Sequence, residues 1–323
     1  MTTSPPVARC LRRLRKIFSR ARRILVPKQT QAYSIAMYAG ATPWTIQPLR
    51  GARQPLLTRR HVTDVPAAFV ADPFMLQRHG AWHLWFEVMR ADRGLGEIGL
   101  ATSPNGRDWT YRGIVLAEGF HLSYPYVFVC EDDVYMIPET GDASSVRLYR
   151  ASTFPHAWVF VTELLTGATF LDASVFHHDG RWWMLVETSG GPVAGATRPR
   201  YATLRLYHAV DLHGPWTEHP MSPVVDLDPA IARPAGRVVK VNGRPVRFGQ
   251  DCSIVYGQAV RAFAIEELSE TQYRERLLTP APFLGPGPRR WNRHGMHHID
   301  AHQTDDGGWV ACVDGWRWRR RDA

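Results

Sequence analysis

The chain has 323 residues, with 12 Trp, 11 Tyr, 13 Phe, 26 Gly and 24 Pro, a composition that suits short strands and tight turns. Its formal charge of +9 is local: Arg9, Arg12, Arg13, Arg15, Lys16, Arg20, Arg22, Arg23 and Lys28 precede every acid, and the remaining 30 basic residues match 30 acids, which argues against a nucleic-acid-binding fold. Cys10, Cys130, Cys252 and Cys312 stand far apart with no Cys-x-x-Cys pair, so free thiols are expected rather than a zinc knuckle or disulfide scaffold.

Residues 1–28 read as a basic amphipathic tail. Leu11, Leu14, Ile17, Phe18, Ala21, Ile24 and Leu25 recur at helical spacing over residues 8–26, and Pro27 ends the pattern. Such a segment fits the surface of an anionic membrane; the plainer readings are a solvated basic tail or, in a eukaryote, a transit peptide. No stretch reaches the ~18 apolar residues of a membrane span, and the start lacks a secretory apolar core, so the expected location is cytoplasmic, peripheral on the inner face of the membrane if the tail binds.

Residues 29–323 read as one repeating β domain. Tyr33–Tyr38 and Trp44–Leu49 are strand-like but precede the first complete unit. Three hairpins then follow one ruler: Asp72 and Glu87, Tyr124 and Glu139, and Asp172 and Glu187 are each 15 residues apart. Turns at His79-Gly80, Glu131-Asp132 and Asp179-Gly180 would set each opening residue directly across the ladder from its closing Glu. Each hairpin is followed by two more strands, with Ala101–Trp109, Ala151–Trp158 and Ala209–Trp216 keeping step. In the divergent fourth unit, a turn at Asn242-Gly243 would place Pro234 opposite Asp251 and Arg233 opposite Cys252. The fifth unit holds one hairpin, from Gly295 through His297, His298 and Asp300 to Trp309-Val-Ala-Cys-Val-Asp314, and then the chain stops.

These periods are those of propeller blades, near 65–117, 118–166, 167–226, 227–280 and 290–318, with residues 33–50 completing the fifth. An all-β, five-bladed propeller closed by its N-terminal strands is therefore expected; a solenoid with open ends is the alternative. The first strand of each blade lines the central channel, so Asp72, Tyr124, Asp172, Arg233, His297 and His298 should converge there. Carboxylates crowded in this way raise one another's pKa, which is how a general acid is kept protonated beside an ionised partner. His297, His298 and Asp300 could hold a metal beside Asp72 and Asp172, but adjacent histidines project to opposite faces of a strand, and neither metal nor cofactor is expected. The strand tryptophans, Trp82, Trp85, Trp182, Trp183 and Trp309, read mainly as packing between blades. No Ser-His-Asp arrangement, Walker loop or Rossmann fingerprint is present.

Ala71-Asp72-Pro73-Phe74 with Trp82-His-Leu-Trp-Phe-Glu87, and Leu171-Asp172-Ala-Ser-Val-Phe with Asp179-Gly180-Arg-Trp-Trp, resemble the blade motifs of five-bladed glycosidases, the arabinanase, xylosidase and invertase group. With Tyr124-Pro-Tyr, Ile137-Pro-Glu139, Arg233-Pro-Ala-Gly236 and Gln250-Asp251-Cys252, the whole pattern over 33–318 is more specifically similar to the N-terminal domain of glucosamine inositolphosphorylceramide transferases. The glycosidase resemblance implies Asp72 as general base and Asp172 as the carboxylate that tunes the acid. The acid, usually a Glu on a later blade, has no counterpart, because residues 219–265 contain no Glu. Asp251 or Glu187 is left for that role.

These resemblances imply a glycan-active enzyme that cleaves or transfers a glycosyl group on an anionic or lipid-linked saccharide. Arg233 would hold an anionic group, and Glu87, Tyr124, Glu139, Gln250, His297 and His298 would bind substrate. The alternative is a non-catalytic saccharide-binding module that acts beside a separate glycosyltransferase.

Overall fold

The hairpin motifs become the inner halves of five four-stranded antiparallel sheets in a computed structural model that describes residues 29–188 and 201–320. The chain runs through β1 (Gln29–Gly40) and β2 (Gln47–Pro48) before the first complete sheet, made of β3 (Ala67–Arg78), β4 (Ala81–Arg90), β5 (Gly96–Ser103) and β6 (Thr110–Leu116). The second sheet is β7 (Ser123–Cys130), β8 (Asp133–Glu139), β9 (Ser145–Thr153) and β10 (Ala157–Thr166), and the third is β11 (Phe170–His178), β12 (Arg181–Thr188), β13 (Leu204–Ala209) and β14 (Thr217–Glu218). In the fourth come β15 (Val239–Val241), β16 (Arg244–Asp251), β17 (Ala259–Leu268) and β18 (Tyr273–Leu277). The last sheet joins β19 (Ile299–Gln303) and β20 (Trp309–Arg320) to β1 and β2, in the order β19-β20-β1-β2.

The fifth blade thus takes two strands from each end of the chain. This closes a five-bladed propeller and excludes the open solenoid, whose terminal edges would have been left unpaired. Of the two N-terminal strands read from sequence, Tyr33–Tyr38 lies inside β1, whereas the second is short: Gln47–Pro48 forms β2 and the Leu49 amide donates to the Met37 carbonyl.

Each junction between neighbouring blades has its own apolar cluster. Trp85, Ile98 and Leu100 of blade one meet Met136, Tyr149 and Trp158 of blade two, with Trp85 and Trp158 edge-to-face at 5.9 Å. Blades two and three bury Tyr126, Ile137, Val175 and Met184; three and four bury Leu185, Leu206, Val238 and Ile265; four and five bury Phe248, Ala262, Ile299 and Ala311. Ile35, Met37 and Cys312 of blade five meet Val70, Met75 and Leu84 of blade one. The core is therefore five wedges in a ring, which fits the expectation that the strand tryptophans pack between blades.

The hairpin turns stand where they were expected. His79-Gly80, Asp179-Gly180 and Asn242-Gly243 carry positive φ at both residues, as type I′ turns require. The register beyond them differs from expectation. Ala71, Ser123 and Leu171, not Asp72, Tyr124 and Asp172, face Glu87, Glu139 and Glu187, and pairing resumes at Phe74, Tyr126 and Ser174. An extra residue is bulged out in each inner strand, and Asp72 (φ 50°), Tyr124 (φ 46°) and Asp172 (φ 53°) take the left-handed conformation there. Neither Asp72 nor Asp172 therefore sits directly across the ladder from its glutamate. In the fourth hairpin, Pro234 pairs with Gly249 rather than Asp251, and the Gln250 amide donates to the Arg233 carbonyl, a shift of two residues from the turn arithmetic.

Cys130, Cys252 and Cys312 are free thiols. The tail at 1–28 lies outside the described residues, and among the described residues no helix is long and apolar enough to cross a membrane.

Candidate functional site

A bulge frees backbone groups that an unbroken ladder would have paired, and in blade one they are answered by blade five. The Asp72 amide donates to Asp314 Oδ2 (3.0 Å) and the Met75 amide to Asp300 Oδ2 (2.7 Å). The Pro73 carbonyl accepts from His298 Nε2 (2.9 Å) and the Cys312 thiol (3.1 Å). Asp72 is thereby fixed in the channel, with Oδ2 accepting a long bond from the Tyr124 amide (3.4 Å) in the next bulge.

Two histidines face the other Asp72 oxygen. Oδ1 lies 3.6 Å from His297 Nε2 and 3.9 Å from His298 Nδ1. Asp314 Oδ1 holds the opposite nitrogen of His297, Nδ1, at 2.7 Å, so Asp314, His297 and Asp72 form a line of acid, imidazole and acid. Burial alone would lower the His297 pKa, but Asp314 and then Asp72 outweigh it and raise it. His298 is pushed down to about 4 by burial; neutral and donating from Nε2 to Pro73, it turns an Nδ1 lone pair toward Asp72. Burial drives Asp72 up to about 7, His297 opposing and Asp314 adding to the rise.

Across the channel Arg233 grips Asp172 with two bonds, Nε to Oδ2 at 2.7 Å and Nη2 to Oδ1 at 3.2 Å, and reaches Glu139 Oε2 at 3.0 Å. Its guanidinium lies against the rings of Tyr201 (4.9 Å) and Tyr256 (5.3 Å), which also pack on each other at 5.2 Å. Gln250 Nε2 adds a bond to Asp172 Oδ2 (2.9 Å) and another to the Pro234 carbonyl (2.8 Å). Burial drives Asp172 to about 7 against the pull of Arg233, and Glu139 is also raised by burial. Glu139 adds to the rise of Asp172, and both acids are held by one guanidinium.

The remaining two glutamates are differently placed. Glu87 is 5% exposed and accepts no hydrogen bond among the described residues; its nearest basic neighbour is His121, with Nε2 3.7 Å away. Glu87 is raised well above its ordinary value by burial, then by Asp72 and Glu139. Glu187 is fully buried with neither oxygen hydrogen-bonded, and burial takes it to about 7, with Arg233 opposing and the amides of Thr203 and Ala202 favouring the ion from beyond bonding distance.

The structure thus brings together Asp72, Glu87, Glu139, Asp172, Glu187, Arg233, Gln250, His297 and His298. It does not bring in two others. Asp251 turns to Ser253 (2.6 Å) and Arg261 (3.0 Å), whose bonds outweigh burial and lower its pKa, so it has no proton to give near neutrality. The Tyr124 hydroxyl is bonded to Ser174 (2.8 Å), which in turn donates to the Gly236 carbonyl (3.0 Å), so this ring braces blades two, three and four. Arg233 has its Nε and Nη2 committed to Asp172 and Glu139.

Sequence reasoning missed Asp314, Tyr33, Tyr201, Tyr256 and His121. Asp314 was discoverable: in the sequence it closes the returning run Trp309-Val-Ala-Cys-Val-Asp314 as Glu87, Glu139 and Glu187 close theirs. Tyr33, which stacks on His297 at 4.7 Å, sits on a closing strand and obeys no repeat. Among the described residues, Asp72, His297 and Asp314 bring potential metal-ligating atoms within 4.8 Å of one another, although His297 Nδ1 is already committed to Asp314.

The sequence profile described as "Glucosamine inositolphosphorylceramide transferase 1, N-terminal" matches residues 27–316. The chain belongs to this family. The rice (Oryza sativa subsp. japonica) protein named glucosamine inositolphosphorylceramide transferase 1 is 34% identical over 314 residues, covering 90% of this chain and 41% of the relative. Its Arabidopsis thaliana namesake is 31% identical over 304 residues, covering 88% and 39%. The chain therefore spans about two fifths of the length of these members of the family. Among solved structures, an exo-1,5-α-L-arabinanase from a bovine ruminal metagenomic library superposes with a TM-score of 0.53 at 11% identity, covering 76% of this chain and 93% of that one. A family 117 glycoside hydrolase from Zobellia galactanivorans gives 0.51 at 14%, covering 76% and 84%. At such identities the likeness is one of fold.

Proposed function

We propose that the funnel is a glycan-processing site that cleaves or transfers a glycosyl group, with Asp72 as its base. The observation that carries this reading is Asp72 itself. It is a buried carboxylate near 7 whose backbone is clamped by Asp314 and whose Oδ1 is left to two imidazoles, a placement suited to taking a proton near neutral pH. The glycosyltransferase named in the relatives and the glycosidase fold of the structural neighbours support the substrate class.

The acid moves from blade four to blade two. Glu139 is raised by burial and is held beside Asp172 by Arg233, which bonds both. Glu187 has a suitable proton affinity, but its oxygens are covered. Product release by the full chain from a panel of glycans and glycolipids, read by mass spectrometry, should fall at least a hundredfold in Asp72→Asn and Glu139→Gln while their melting temperatures stay near wild type. Equal turnover in Asp72→Asn would remove the assignment.

A second reading, a saccharide-recognition module beside a separate transferase, is favoured by the relatives' extra length. Saccharide binding without product from any bound ligand would select it. In either case we propose that residues 8–26 bring the funnel to an anionic membrane surface.

A further inference from the structure

The end of the propeller opposite the funnel carries a second recess. Between blades five and one, where β1 reaches Gly40 and a turn joins β19 to β20, a groove of about 380 Å³ opens, within the size range of small-molecule sites. Met37, Leu49, Trp82 and Val310 make its apolar floor, and all four belong to the cluster that joins these two blades. Trp82 follows the turn of the first hairpin and Trp309 that of the fifth, whereas Asp72 and Asp314 stand at the open ends of the same hairpins. The groove therefore shares no group with the funnel.

The donors at this groove are unengaged. Arg107, on the turn between β5 and β6, is exposed, and its guanidinium makes no hydrogen bond or ion pair among the described residues. The Trp82 indole N–H likewise has no partner there and is not sealed from solvent. Gly106 keeps that indole edge clear, since a Cβ in its place would stand 3.3 Å from Trp82 Nε1. Asn105 is already used: its Oδ1 accepts from the Arg107 and Asp108 amides, both at 2.9 Å, and so shapes the turn. Arg107 Nη1 comes within 3.5 Å of where a Gly51 Cβ would stand, and Arg50 and Arg53 on that loop are also exposed and unpaired among the described residues. Three arginines with no acid to balance them share one corner of the groove. On the blade-five wall, Asp306 Oδ1 accepts from the Thr304 hydroxyl (2.5 Å) and the Gly308 amide (3.2 Å), and Oδ2 is left over.

We propose that this groove binds an organic phosphate, a flat apolar ring joined to a phosphate as in a nucleotide. The ring lies against Trp82 and Leu49 with an N–H or hydroxyl turned to Asp306, and the phosphate meets Arg107, whose planar fork matches two phosphate oxygens. The bound anion also relieves the mutual repulsion of Arg50, Arg53 and Arg107. Inorganic phosphate supplies only the charge and a nucleoside only the ring, so each lacks half of what the groove offers. A membrane surface is too flat to reach a floor set between two blades. The proposal does not depend on the saccharide reading of the funnel.

The test is calorimetric titration of the full chain, at physiological salt, with AMP, GMP, UMP and phenyl phosphate, each against inorganic phosphate and its own dephosphorylated form. At least one ringed phosphate should bind about ten times more tightly than both of its controls. Arg107→Gln, an exposed substitution whose melting curve should match wild type, should weaken that binding at least tenfold. Trp82→Leu should bring the ringed phosphate down to the level of inorganic phosphate; if that variant does not fold, the wild-type ratios and Arg107→Gln still decide. A preference for nucleotides over phenyl phosphate would support a nucleoside phosphate as the ligand, and equal binding would support the wider class of aryl phosphates. Inorganic phosphate binding as tightly as the ringed forms would mean an adventitious ion only and overturn the proposal, as would no binding of any probe. Binding that survives Arg107→Gln but is lost in Asp72→Asn would put the phosphate in the funnel and also overturn it.

Discussion

Asp314 accepts three hydrogen bonds, from the His297 ring, the His297 amide and the Asp72 amide, and so sets the protonation of both neighbours. Asp314→Asn should lower the His297 pKa toward or below 6.5, because burial would then act with less opposition; the ring's NMR titration reads this directly. The pH dependence of stability follows from the same groups. Asp72 rises from 3.8 in the unfolded chain to about 7 in the folded one, so between those values the native state holds the extra proton and stability falls as pH rises. His297, also raised, acts in the same direction as pH passes its folded value. Melting temperature should therefore be lower at pH 8 than at pH 5, with a shallower slope in Asp72→Asn; a rise with pH would contradict this. The convergence of Asp72, Asp172, Glu87 and Glu139 was legible because a repeat places like residues alike. What Arg233 holds was not, because spacing does not say whether a guanidinium meets a carboxylate of its own chain or waits for a ligand.

At the scale of the strand, turn positions were readable from Asp-Gly and Asn-Gly, whose backbone demands few other residues meet. Register was not, because a bulge adds a residue within the strand and leaves the turn untouched. Asp72, Tyr124 and Asp172 carry no mark of it: two acids and a tyrosine share a left-handed conformation that the hydrogen bonds around them enforce. The divergent fourth inner segment depends on Gly236, at φ 136°, which bridges in parallel to Ile299 of blade five. A Cβ there would stand 1.7 Å from the Ile299 carbonyl oxygen, in a backbone region closed to other residues. Gly236→Ala should cost at least about 2 kcal/mol in denaturant unfolding, by clash and strain together; an unchanged midpoint would mean that the junction yields freely.

At the scale of the molecule, the ring closes through strands from both ends. A chain beginning at Arg53 loses β1 and β2, exposes the β20 edge and uncovers Val70, Met75 and Leu84. Its melting temperature should fall by many degrees, with aggregation; a stable soluble monomer would show that the ring does not need these strands. The tail has a test of its own. Full-length protein should sediment with anionic vesicles, less so in high salt, and a chain beginning at Thr30 should not; salt-independent sedimentation would rule out a polybasic attraction.

The hybrid fifth blade also sets an order of events in time. Its sheet joins the first strands to the last, a closure that spans nearly the whole chain and costs about 5 kcal/mol of loop entropy before the new contacts offset it. Asp72 is made early, but His297, His298 and Asp314, which clamp and titrate it, are all made late. Four nearly complete blades are therefore made before Asp72 has His297, His298 or Asp314 beside it. The groups that clamp Asp72 are completed only with β20, in the step that closes the ring.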